Sequence, residues 1–245
     1  MNNNRQDASS NHLAVLADLE QSLRAPIALA YARARAAAEP NLTEAERIEA
    51  MRVLVGICGR ARQILRNINL LGKLHRAEPI ELNLVRLGAR DCVAALSNAA
   101  EEAAVLVGRH RKISISIDEA SFGRLDHRPV LADIDLIEQS FRALADNSVR
   151  YSYPNSNIDI QGGWTTDGAF SIAFRNRGIP ISEKDVKRIS EYGWRGETAR
   201  LSSGEGSGIG LWLVNNIIKA HKDRLRVCPT SPTGLTEVDI VIPTE

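Results

Sequence analysis

Aromatic side chains are scarce in this chain, making up 4% of its 245 residues. Its core must therefore rest on Leu, Ile, Val and Ala, which suits packed helices. Cysteine is nearly absent as well. Cys58, Cys92 and Cys228 are an odd, widely spaced set, which excludes a disulfide framework and the paired spacing of a zinc site. They are expected to be small buried residues in a reducing compartment. Charge of one sign is also lacking: 31 basic side chains against 30 acidic leave a net charge of +1. That balance creates no field strong enough to make nucleic acid or an anionic membrane the main partner. No run approaches the roughly 20 apolar residues of a membrane span, and the polar residues 1–10 read as a frayed tail, not a signal peptide. With 44% hydrophobic and 25% charged residues, a cytoplasmic globular protein of one large or two modest domains is expected.

Residues 11–110 carry helical periodicity almost throughout. Leu13, Leu16, Leu19, Leu23 and Ile27 recur at three- and four-residue steps, with Pro26 expected to bend the axis. After the break at Pro40, Thr43 and Glu46 form a capping-box pattern that starts a second helix running to about His75. Its apolar positions are Met51, Leu54, Ile57, Ile64, Leu65, Ile68, Leu71 and Leu74. Two long helices joined by a short turn must lie antiparallel, leaving a wide apolar stripe. A four-helix bundle made by a homodimer would bury it, as would packing on the rest of its own chain. The hairpin is placed at 11–78, with Pro79 ending it, and a further helix is expected over 85–108.

Beyond Arg111 the period changes. Ile113, Ile115 and Ile117 alternate with polar residues as a half-buried strand. Helical spacing returns over 134–150. Strands follow from Ile158 and Phe170, then helices over about 182–191 and 209–221, then strands Leu225–Cys228 and Val238–Ile242. Strands with helices collected on one side predict an α/β sandwich, so the whole chain reads as α+β.

Three polar patches fall in order within this second part, placed at 79–245. Asn147, Arg150 and Tyr151 end the helix 134–150: a carbonyl oxygen suited to Mg²⁺, a cation for phosphate, and a ring to cover a base. Asn176 and Gly178 follow a strand, offering an acceptor and a tight turn. Gly204, Gly206, Gly208 and Gly210 then run directly into an apolar helix that begins at Leu211. Bare backbone N–H groups at a helix N-terminus form a phosphate cradle. Between the second and third patches, the segment around Arg195 reads as a lid that brings that cation to the phosphates on closure. Taken together, the patches describe a site for ATP with Mg²⁺.

With these residues in view, the chain resembles the sensor histidine kinases of two-component signalling. Their ATP-binding fold, the GHKL type, is shared with DNA gyrase, Hsp90 and MutL. The resemblance spans roughly residues 11–243, with Asn147 to Tyr151, Asn176 to Ile181, Ile189 to Gly196, and Gly206, Gly208 and Gly210 matching in order. It implies that Asn147 holds Mg²⁺, that Arg150 and Arg195 contact phosphates, and that Tyr151 flanks adenine. It also implies a homodimer through the hairpin and a response regulator or another kinase as partner. Asn176 stands where an Asp usually accepts the adenine amino group, and a neutral acceptor is expected to weaken binding by about 1 kcal/mol. Ala143 stands where a second Asn is common.

The family's His-Glu-Leu-Arg-Thr-Pro-Leu motif is matched by Gln21-Ser22-Leu23-Arg24-Ala25-Pro26-Ile27. Gln21 therefore occupies the phosphoacceptor position, but its amide nitrogen has a delocalised lone pair and is no nucleophile. Ser22 replaces the neighbouring acid. Two readings stand: a chain that binds nucleotide without accepting phosphate at this position, or a histidine replaced by substitution. The second explains Gln21 but not Ser22. His12, His75, His110, His127 and His221 lack neighbours that mark a nucleophile.

Overall fold

The computed structural model describes residues 23–24, 26–104, 111–202 and 207–244. Gln21, Ser22, His12, His110, Gly204 and Gly206 lie outside them. Residues 26–37 form helix α1. Helix α2, Glu44–His75, starts at the expected capping box: Glu46 N donates to Thr43 Oγ1 at 3.3 Å while Thr43 N donates to Glu46 Oε2 at 2.9 Å. Two orphan N–H groups are thereby satisfied where the helix begins.

Residues 85–108 depart from the expected single helix. Val85–Leu87 form a short strand, β1, and helix α3 occupies Ala89–Ala103. The physical reason is a distant partner, since β1 pairs antiparallel with β3, Val130–Ala132, opposing Val85 to Ala132. A 3₁₀ segment, Glu119–Asp126, leads toward β3 and buries Phe122 and Leu125. The alternating Ile residues do form β2, Ser114–Asp118.

Helix α4, Ile134–Tyr151, is followed by strands β4, Asn157–Trp164, and β5, Phe170–Arg177. The helix expected over 182–191 is a single turn, α5, Glu183–Val186, with Ser182 and Asp185 as its capping box. Helices α6, Glu197–Ser202, and α7, Gly210–Ala220, precede β6, Leu225–Val227, and β7, Leu235–Ile242. The five-stranded sheet has the order β2-β4-β5-β7-β6, with β2 and β4 parallel and the other pairs antiparallel.

Helices α3, α4 and α7 lie together against the sheet. Ile158, Ile160, Phe174, Ile240 and Ile242 meet Phe141, Leu144, Leu213 and Ile217 there in one apolar core. Alternate strand residues point the other way and carry charge: Arg175 pairs with Glu237 and Arg226 with Asp239. Burial pushes the Asp239 carboxyl up from its usual range, against the pull of Arg226.

Helix α2 packs on its own chain, against α3 and α4. Ile64, Leu70 and Leu71 join the core, whereas Met51 and Leu65 stay exposed. Arginines along α2 meet acids of the helices beneath: Arg52 with Glu101 at 4.0 Å, Arg62 with Glu102 at 3.8 Å, Arg66 with Asp135 at 3.4 Å, and Arg60 with Asp146. Under that seam the buried Arg142 forks onto Glu102 and also reaches Glu138, each at 2.8 Å. Cys58 is exposed on this helix, unlike the small buried residue expected, and Cys228 is half-buried. Cys92 is buried, and loss of solvation pushes its thiol up to about 12. No helix among the described residues is long and apolar enough to cross a membrane.

Candidate functional site

A cavity of about 610 Å³ opens between α4, the segment 185–199, the start of α7 and the inner face of α2. Helix α4 supplies Ala143, Asn147, Arg150 and Tyr151 to its wall. These positions are four, seven and eight residues apart, so they share one helix face. The opposite face carries Phe141, Ala145 and Val149 into the core, while Leu144 borders both the core and the cavity.

Both ends of α4 are held firmly. At its start, Asp133 caps the helix, accepting from Leu136 N at 3.2 Å and from Asn83 N at 2.9 Å. Its backbone N–H donates to Nε2 of His221 at 3.0 Å. His221 Nδ1 lies 2.8 Å from the Ile217 carbonyl, so this ring nitrogen carries the proton and the imidazole is neutral. Burial holds the His221 pKa below the usual imidazole range, with the Ile217 carbonyl and Asp133 pulling the other way. His221 is thus a structural clasp. At the far end, Arg111 donates to the carbonyls of Val149 at 3.0 Å, Arg150 at 2.7 Å and Ser152. That cation meets the negative end of the helix dipole.

Asn176 on β5 is buried and lines the cavity. Ser152 Oγ gives its one proton to the Ser148 carbonyl at 2.6 Å. It must therefore accept from Asn176 Nδ2, 3.1 Å away, which leaves Asn176 Oδ1 as the acceptor for a ligand. Thr236, next to it in the lining and missed by sequence reasoning, stands 2.7 Å from the Thr230 hydroxyl, which in turn accepts from Ile181 N. Gly178 does not line the cavity. A Cβ there would sit 2.0 Å from the Tyr151 carbonyl oxygen, and that oxygen accepts from Ile179 N at 2.9 Å. This glycine lets β5 close on the end of α4 and so seats Tyr151.

Ser207, Gly208, Gly210 and Leu211 line the opposite wall. Gly208 has φ +69°, and a Cβ there would lie 2.7 Å from the Trp194 carbonyl. Only glycine fits both that left-handed backbone and that approach. Helix α7 begins without a side-chain cap, so its first N–H groups are available to an anion. A Cβ on Gly210 would lie 4.0 Å from Asn147 Oδ1, which brings the candidate metal ligand beside that helix start. Arg195 lines the cavity while donating to the Ala199 carbonyl at 3.1 Å. Tyr192, in the same segment, meets the His75 ring edge-on at 5.3 Å and the Trp212 ring at 5.0 Å. His75, expected as a solvated terminus, is exposed but contacts both rings. His127 ends the 3₁₀ segment, away from the cavity.

From the hairpin, Pro26, Leu29, Ile57, Arg60, Gln63 and Asn67 also reach the cavity. Their distance in sequence from the three patches left no signal. Among the described residues, no three His, Cys, Asp or Glu side chains cluster as a metal cage. The donor set suits a hard cation that arrives with phosphates and takes one protein oxygen.

Known proteins resemble the chain in the same region. Residues 132–245 match the family of histidine kinase-, DNA gyrase B- and HSP90-like ATPases. The signal transduction histidine-protein kinase BaeS of Escherichia coli K12 is 29% identical over 124 residues, covering 51% of this chain and 26% of that protein. Sensor-like histidine kinase SenX3 of Mycobacterium tuberculosis H37Rv is 30% identical over 180 residues, covering 72% of this chain and 43% of its own length. The match therefore spans less than half of each of these relatives. The Acinetobacter baumannii histidine kinase AdeS shares the fold, with a TM-score of 0.53 at 18% identity over 90% of this chain and 96% of its own. Full-length ShkA in complex with AMPPNP superposes with a TM-score of 0.55 at 18% identity, covering 98% of this chain and 46% of that one. Over residues 132–245 the chain thus carries a histidine kinase-, DNA gyrase B- and HSP90-like ATPase domain, and the relatives that it resembles are sensor histidine kinases.

Proposed function

We propose that this chain binds ATP with Mg²⁺ and acts in two-component signalling as a nucleotide-responsive dimer that does not phosphorylate itself at Gln21. The observation that carries the binding half is the convergence of Asn147, Arg150, Tyr151, Asn176, Arg195, Gly208 and Gly210 on one cavity. In this reading Asn176 Oδ1 accepts from the adenine amino group and Tyr151 covers the base. The α7 N-terminus with Gly206, Gly208, Gly210 and Leu211 cradles the phosphates, while Arg150 and Arg195 neutralise their charge. Asn147 would hold Mg²⁺ together with the phosphates, and the cation would supply screening of their negative charge.

The missing phosphotransfer follows from side-chain chemistry. An amide at position 21 offers no nucleophilic lone pair, and a serine at position 22 is no base near neutral pH. Partners are a second copy, through the hairpin, and a response regulator or another kinase. The exposed Ile27, Tyr31, Ile48, Met51 and Val55 of α1 and α2 support the dimer, since such a surface gains by being covered.

Calorimetric titration with MgATP, followed by incubation with γ-labelled ATP, tests both halves. The unaltered chain should bind at sub-millimolar concentration and take up no label. Gln21→His combined with Ser22→Glu should acquire label. Failure to bind either adenine nucleotide overturns the first half, and label on the unaltered chain overturns the second.

A further inference from the structure

We infer that Arg60, on hairpin helix α2, is a phosphate-binding residue of the nucleotide cavity, held in reserve by Asp146 until a triphosphate arrives. The inference rests on the nucleotide reading above and adds to it a contribution from outside the ATPase domain. Arg60 and Asp146 both line the cavity, and their side chains are 27% and 24% exposed, so the pair is within reach of a ligand. Asp146 directly precedes Asn147, the candidate metal ligand.

Two features separate this pair from the other contacts of α2. Arg52–Glu101, Arg62–Glu102 and Arg66–Asp135 also tie the helix down, but none of those residues lines the cavity. Further, Arg60, Gln63 and Asn67 follow helical spacing and line it together beside Ile57 and Ile64, so α2 turns a polar stripe toward the space. Gln63 is 5% exposed, and its Oε1 has no hydrogen-bond partner although its Nε2 donates to Asn67 Oδ1 and the Gln139 carbonyl. A buried acceptor left unmet in a cavity wall is costly unless a ligand or water supplies the donor.

The exchange is electrostatically downhill. A guanidinium on one carboxylate meets a single negative charge, whereas the terminal phosphates offer several charges and matching geometry for its fork of donors. Asp146, left facing the same anion, repels it. The two partners of one ion pair therefore act on the triphosphate with opposite sign. A purely structural pair would not behave this way, since removing either end would loosen α2 alike.

Calorimetry on the full chain with MgATP, MgADP and adenosine separates the cases. Arg60→Gln should weaken MgATP by about tenfold and MgADP by less, leaving adenosine unchanged. Asp146→Asn should tighten MgATP by about threefold, and that gain should vanish in the double variant. Equal weakening of all three ligands by both single variants, or no change of MgATP binding in Arg60→Gln, overturns the assignment while the nucleotide reading stands. No binding by the unaltered chain overturns both. Should Arg60→Gln fail to fold, Asp146→Asn decides alone: tighter MgATP supports the assignment, and weaker or unchanged binding defeats it.

Discussion

The two halves of helix α2 hold to the rest of the chain by different physics. From Gln63 onward the helix puts Ile64, Leu70 and Leu71 into the same core as the sheet. Before that point Ile57 is also buried but stands outside that core, and ion pairs through Arg52, Arg60 and Arg62 supply the rest of the grip, while Ile48, Met51 and Val55 face solvent. Apolar burial is insensitive to salt and scales with area. Exposed ion pairs contribute little each and weaken as counterions are added. The C-terminal half is thus part of the core beneath the sheet, and the N-terminal half is held more by ion pairs, with an apolar outer surface left exposed.

Four measurements would break or sharpen that contrast. The largest effect is expected from Leu71→Ala, a side chain 1% exposed. Its cavity should remove about 2–5 kcal/mol, lowering the denaturation midpoint of the whole chain. A merely local loosening would show that the C-terminal half is not core. Next comes Gly59→Val. A Cβ at Gly59 would lie 2.6 Å from the Glu102 carboxyl carbon, and that carboxylate is fixed by Arg142. Overpacking of about 1–3 kcal/mol should raise amide exchange over residues 44–62 and spare the sheet.

Third, acidification should act on the core side of the contrast. The His221 pKa is depressed in the folded chain, so the unfolded state binds the extra proton first. Its contribution is complete above the free imidazole value near 6.5 and declines as the pH falls below it, because protonation removes the acceptor for Asp133 N. Urea midpoints should fall between pH 7 and pH 5, and His221→Gln should flatten that slope. Least in free energy is salt: each seam pair contributes under about 1 kcal/mol. Raising NaCl from about 0.1 to 1 M, which shortens the screening length to about 3 Å, should speed exchange over residues 44–62 only. Uniform protection of α2 at both salt levels would erase the distinction between its halves.

Much of this was readable along the chain because the relevant contacts are local. The capping box at Thr43, the alternation of Ile113, Ile115 and Ile117, and the helix from Ile134 all declare themselves within a few residues. Asn147, Arg150 and Tyr151 do so as well, since one helix face brings them together. Strand β1 did not, because three residues become a strand only through β3, more than 40 positions away. The expected helix over 182–191 stops after Val186, and the turns after it carry the chain to Tyr192, whose ring is held by His75 and Trp212. The α2 wall of the cavity was hidden for a similar reason. Arg60, Gln63 and Asn67 look like ordinary polar residues of an amphipathic helix until that helix is laid across α4.

The ring of Tyr192 has one more consequence. It is wedged edge-on between His75, the last residue of α2, and Trp212, in the first turn of α7. Each aromatic contact of this kind contributes about 0.5–1.5 kcal/mol. The segment that brings Trp194 and Arg195 to the cavity wall is therefore tied to the ends of two helices, α2 and α7. Displacing the last residue of α2 would break two ring contacts at once, one to Tyr192 and one to Trp212.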